Sequence, residues 1–180
     1  MFFTNIILGL KAGQYAQLIF GGYDTSRFTP NSASFTLSED IDRDIVVAIQ
    51  SITYSGTTQS TLLSTPTTAF IESTDPNFWL PEAACHAFEQ AFELSVDNST
   101  GLYLINATHY TQLQAANPQV IFTLSNSLSG GEAVNIMLPF SAFGLSASPP
   151  FTPNSTYYFP LKKAANDSQN TLGRAFLQEA

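Results

Sequence analysis

Apolar residues recur along the chain in short runs, each stopped by a turn signal. AQLIFGGYD (16–24) halts at Gly21 and Gly22, SASFTL (32–37) alternates, and RDIVVAIQSITYSG (43–56) is rich in β-branched side chains and closes on Tyr54-Ser55-Gly56. QVIFTLSN (119–126) and AVNIMLPFSAF (133–143) flank Gly130 and Gly131. Runs of this length bounded by turn residues predict strands. One segment has a helical period instead. In PEAACHAFEQAFEL (81–94), Ala84, Cys85, Phe88, Ala91 and Phe92 share a face, and Pro81 stands at the start, where its missing N–H is tolerated. A shorter helix is expected over YTQLQAAN (110–117), stopped by Pro118. Many short strands with scattered short helices predict an all-β domain. TTAFIESTDPNFWLP (67–81) raises a chemical question: its apolar run delivers a carboxylate, Glu72, straight into a turn. A carboxylate at the end of a buried strand is costly unless something needs it there.

Composition narrows the class. Apolar residues make up 44% of the 180 and aromatics 13%, enough for a packed core. Six basic against fourteen acidic residues leave a net charge of −8 and no basic stripe, which argues against a nucleic-acid partner. Few Lys and Arg also means little positive self-repulsion in acid, where carboxylates are neutral. No apolar run approaches the roughly 18 residues of a membrane span. The N-terminal MFFTNIILGLKAG lacks a basic leader region and a clear cleavage site. Four N-x-[ST] acceptors, Asn98, Asn106, Asn154 and Asn166, favour a secreted glycoprotein. A secretion-like body without a clear signal peptide leads to the expectation that the beginning lies elsewhere.

Other chemistry is sparse. Cys85 is the single cysteine, so no internal disulfide forms. Cys85 and His86 are adjacent on the expected helix and point about 100° apart, so they cannot converge on one ligand. Cys85 is expected in the core and His86 near the surface. His109 has no assigned role. No metal-ligand spacing is present, and no cofactor is expected. Phe78 and Trp79 read as core packing. Lys162, Lys163 and Arg174 read as a solvated loop, and Asp75 as a turn residue before Pro76.

Several stretches together resemble the pepsin-like aspartic endopeptidases. LIFGGYDTSRF is similar to the family's FGG-x-D strand and turn, and DIVVAIQSITYSG to the strands that follow. AFIESTDPNFWLP stands where the family carries its second apolar-apolar-Asp-[ST]-Gly motif. NPQVIFTL and NIMLPFSAF resemble later strands, and TLGRAFLQEA the LG-x-x-F-L motif whose glycine crosses behind the catalytic loop. The Ser-Thr pair, with Pro76, Trp79, Leu80 and Pro81, is closest to the fungal branch, whose members often read Asp-Ser-Thr. The resemblance runs from about residue 15 to the end. It implies one lobe of a bilobal acid protease, with residues 1–180 forming a single partial domain that lacks the N-terminal lobe and the final strands.

By the same resemblance, catalysis would need two carboxylates, one from each lobe, sharing a proton because neighbouring carboxylates cannot both ionise cheaply. Here the family's position is filled by Glu72, flanked by Ser73 and Thr74, and no second Asp-[ST]-Gly motif is present. Glutamate adds one methylene, whereas catalytic groups need placement within about 0.5 Å. The lone chain is therefore expected to be inactive. The implied partners are a polypeptide substrate and the missing lobe. The alternative is a non-catalytic lobe that binds peptides or is vestigial. A symmetric pair of lobes and an unrelated wall glycoprotein are weaker readings.

Overall fold

The computed structural model describes residues 4–7, 17–20, 25–27, 29–40, 42–56 and 59–179. The chain divides into two compact units, residues 1–32 and 33–180. In the first, β1 (Thr4–Ile7) and β2 (Gln17–Phe20) pair antiparallel, Thr4 opposite Phe20. The N-terminal apolar run is thus a strand, and so is the QLIF run. The expected Gly21-Gly22 turn lies outside the described residues.

The second unit holds β3 (Val46–Ser55), β4 (Gln59–Leu63), β5 (Thr67–Ile71), β6 (Phe78–Leu80), α1 (Glu82–Phe92), β7 (Ser95–Asp97) and β8 (Leu102–Ile105). It continues with α2 (Ala107–Ala116), β9 (Gln119–Ser125), β10 (Ala133–Pro139), β11 (Leu145–Ala147), β12 (Thr156–Phe159), β13 (Leu161–Lys163), β14 (Thr171–Leu172) and α3 (Arg174–Leu177). The larger sheet runs β10-β9-β3-β5-β14-β6-β13, with β4 paired to β3, and a smaller sheet runs β11-β12-β8-β7. Strand β14 is inserted between β5 and β6, parallel to the first and antiparallel to the second. The fold is mostly β with few short helices, as the sequence pattern predicts.

Local chemistry accounts for the elements. The β9–β10 hairpin turns through Gly130 and Gly131, both at positive φ, a region glycine enters without steric cost. Helix α1 starts after Pro81 and buries Ala84, Cys85, Phe88 and Phe92, close to the expected face; Ala91 is only partly buried. Helix α2 begins earlier than expected, because the side chain of Asn106 caps it by accepting from the Thr108 N–H at 2.9 Å. It ends at Asn117 in the left-handed region, just before Pro118. The expected strand at SASFTL does not form. Residues 33–38 run without ladder pairing, and Thr36 N–H and Ser34 C=O bond instead to the amide side chain of Asn126.

The core is phenylalanine-rich. Phe78, Phe88, Phe92, Phe122, Phe140, Phe143, Phe159 and Phe176 all join one buried cluster. Ring centroids of Phe143 and Phe159 lie 4.8 Å apart, and those of Phe78 and Phe143 5.1 Å apart. Each such side chain contributes about 1.5–3 kcal/mol through burial. Phe78, at the exit of the Glu72 loop, thereby fixes one end of that loop in the core.

Candidate active-site loop

The backbone carries Glu72 to a defined place. On one edge of β5, Val46 lies opposite Phe70 and the Ile71 N–H donates to Ile45 C=O at 2.9 Å. On the other edge, Leu172 lies beside Ile71, and the Glu72 N–H donates to Leu172 C=O at 3.1 Å. Both edges hold the strand up to Glu72, and there the chain leaves the sheet.

The carboxylate of Glu72 bends back over its own loop. Oε2 accepts from the Thr74 hydroxyl at 2.5 Å and Oε1 from the Thr74 N–H at 2.7 Å. The hydroxyl bond foremost, then the N–H bond, hold the Glu72 carboxyl below its ordinary range, against a smaller opposing effect of desolvation. Ser73 and Thr74 are exposed, and among the described residues the Ser73 hydroxyl takes no partner. It is the hydroxyl of Thr74, not that of Ser73, that ties the Glu72 carboxylate.

Asp75 has a different task. Its Oδ1 accepts from the Asn77 N–H at 2.7 Å and Asn77 Nδ2 at 3.0 Å, while Oδ2 accepts from the Trp79 indole N–H at 2.7 Å. The first bond closes a local Asx-type turn, as expected for an aspartate before proline. Sequence reasoning missed the bond to Trp79, which is half-buried with its indole tied to the loop, while Phe78 alone is core. The Asp-x-Asn spacing was the available signal for the turn; nothing local announced the tryptophan.

Behind the loop passes the returning chain. Gly173 N–H donates to Asn77 C=O at 3.0 Å and Arg174 N–H to Asp75 C=O at 2.6 Å. A Cβ on Gly173 would overlap both of those carbonyl oxygens, so only glycine fits. This is the glycine of the LG-x-x-F-L stretch, and it crosses where the resemblance implied.

The remaining singled-out residues lie away from the loop or serve packing. Cys85 is buried, and desolvation pushes its thiol up to about 11, which leaves it unreactive. His86 is exposed beside Glu82 and Glu89. His109 lies 4.0 Å from Glu93. Lys162 and Lys163 do not sit on a loop: both belong to β13, where Lys162 donates to Gly101 C=O at 2.6 Å and Lys163 pairs with Glu82 at 2.8 Å. Arg174 opens α3. Asn98, Asn106, Asn154 and Asn166 are all exposed. Among the described residues no group of three or more His, Cys, Asp or Glu is placed to hold a metal, and no helix is long and apolar enough to cross a membrane.

Comparison with known proteins converges on the same family. The family model described as eukaryotic aspartyl protease matches residues 3–180. No curated protein matches the sequence. The crystal structure of an aspartic proteinase from Irpex lacteus is similar in fold, with a TM-score of 0.60 and 16% identity over 91% of this chain and 46% of that one. The chain therefore spans less than half the length of that structure, and at this identity the likeness concerns the fold alone. From a strand that presents Glu72, a glycine crossing behind its loop, and a family match over nearly the whole sequence, it follows that the chain belongs to the eukaryotic aspartyl protease family.

Proposed function

We propose that this chain is the C-terminal lobe of a secreted, fungal-type aspartic endopeptidase and supplies one of two catalytic carboxylates through Glu72. The observation that carries this reading is the presentation of Glu72: a strand held on both edges releases it into a loop backed by Gly173. Coverage of 46% of the Irpex lacteus proteinase supports a one-lobe assignment. In the proposed reaction a second carboxylate comes from an N-terminal lobe, and the two share one proton. The ionised member takes a proton from water as it attacks the scissile carbonyl, and the protonated member donates to the carbonyl oxygen. Glu72, with Ser73 and Thr74 beside it, is this lobe's contribution. Alone, the chain has no partner carboxylate and is inactive. The four exposed acceptors, Asn98, Asn106, Asn154 and Asn166, support N-glycosylation on a secretory route.

A second reading, a non-catalytic lobe that binds peptides, is favoured by one observation: the Glu72 carboxylate is already occupied by Thr74. The test pairs this lobe with an N-terminal lobe bearing Asp-[ST]-Gly and follows cleavage of a denatured protein at acid pH. Under the endopeptidase reading the Glu72 form cleaves, Glu72→Asp is faster by up to about 100-fold, a typical effect of correcting a small misplacement, and Glu72→Gln is dead. Cleavage by the Asp form alone selects the second reading. No cleavage by either form sinks the catalytic assignment.

A further inference from the structure

We infer that Glu72 and Thr74 are a matched pair, in which Thr74 is the positioning residue that lets a glutamate stand where the family has aspartate. The functional meaning of the inference rests on the reading above; its geometry does not. An aspartate at the head of a loop reaches the N–H two residues on, the ordinary Asx turn, with no further help. A glutamate has one more rotatable bond and a longer reach. Without a second hold its carboxylate would swing through several rotamers.

The structure supplies that second hold. One carboxylate oxygen takes the Thr74 N–H at 2.7 Å, and the other takes the Thr74 hydroxyl at 2.5 Å. Both bonds come from one residue, so the carboxylate is gripped at two points and the extra methylene is absorbed by curling the side chain back. The grip is local to the loop. Ser73 adds nothing to it, the Asp75 N–H contributes less than either Thr74 bond, and the Asp75 carboxylate is committed elsewhere, its oxygens taken by Asn77 and Trp79. A glycine at position 74, as in the family's general pattern, would provide the N–H but no hydroxyl. The lowered carboxyl range of Glu72, owed first to the hydroxyl, agrees with the geometry.

The test is NMR on the chain itself, without a partner lobe, so that failure to find proteolysis and failure of this inference are separate results. The side-chain carboxyl of residue 72 is titrated, and three-bond couplings report its χ1 and χ2 populations. In the natural sequence a single rotamer dominates. Thr74→Val, which removes the hydroxyl at constant shape, averages the couplings and raises the titration midpoint; Thr74→Ser restores both. Repeated in a Glu72→Asp background, Thr74→Val leaves the midpoint nearly unmoved, because the shorter side chain depends on the N–H alone. The inference is overturned if Thr74→Val changes neither couplings nor midpoint with Glu72 present. It is equally overturned if Thr74→Val moves the midpoint in the Glu72→Asp background as far as it does in the natural sequence. Amide spectra outside residues 70–80 serve as the folding control. Should Thr74→Val perturb them, Thr74→Ala gives the same readouts with less bulk.

Discussion

The two halves of the loop between β5 and β6 differ in how they are held. Apart from the backbone N–H of Glu72, which donates to Leu172 C=O, residues 72–74 are fixed by bonds within the half itself: both oxygens of the Glu72 carboxylate accept from Thr74. Residues 75–79 are fixed from afar as well, by the chain at 173–174 and by burial of Phe78. Two carboxylates three positions apart therefore have opposite fates. Asp75 is spent on holding the loop, and the Glu72 carboxylate is held only by bonds from within the loop. A loop that must offer a chemical group needs both a rigid foot and an unencumbered tip, and here the foot and the tip are adjacent stretches of sequence.

This division predicts a steep gradient of mutational effect. The largest falls at the foot, in Gly173→Ala. Its new methyl meets two backbone carbonyls that cannot move aside, so a loss of about 3 kcal/mol or more is expected, read by denaturant unfolding. A loss under about 1 kcal/mol would mean the crossing is looser than described. Next comes Asp75→Ala, which strands the Trp79 indole and the Asn77 N–H; about 1–3 kcal/mol is expected. Trp79→Phe removes only one donor and leaves the turn intact. About 1 kcal/mol is expected, and a larger loss than for Asp75→Ala would reverse the assigned hierarchy.

The smallest effect belongs to the tip. Glu72→Gln should change stability at neutral pH by well under the Asp75→Ala loss. Its signature is in the pH profile. The folded-state carboxyl of Glu72 is depressed, so its contribution is fully present above the unfolded-state range and is lost as pH falls through the folded one. Thermal melts from neutral to acid pH should show that the natural chain loses this contribution and that Glu72→Gln does not. Equal slopes for the two would place Glu72 outside the hydrogen bonds described.

How much of this was legible in advance follows the same boundary between local and distant. The helix after Pro81, the β9–β10 hairpin at Gly130 and Gly131, and the strand that delivers Glu72 are set by neighbours in sequence, and the pattern predicted them. SASFTL alternates as a strand should, yet its polar backbone groups went to Asn126, some 90 positions away in sequence. Periodicity has no access to such a partner. Helix α2 starts three residues before the expected YTQLQAAN stretch, where Asn106 caps it. Lys162 and Lys163, expected on a solvated loop, lie on β13, where their aliphatic stems can cover a partly buried edge. At the site, the crossing of Gly173 was implied by resemblance, while the grip of Thr74 and the tie from Asp75 to Trp79 were not visible at all. Each is a matter of side-chain direction, which a string of residue types does not contain.

The insertion of β14 between β5 and β6 has a consequence for the order of events during synthesis. A nascent chain makes the Glu72 loop early, but its two flanking strands have no direct pairing to bring them together. They become neighbours only when Thr171 and Leu172 have emerged and slipped between them. Contacts so distant in sequence form late and slowly. The two strands that flank the loop are thus brought together only after the chain has been made as far as Leu172.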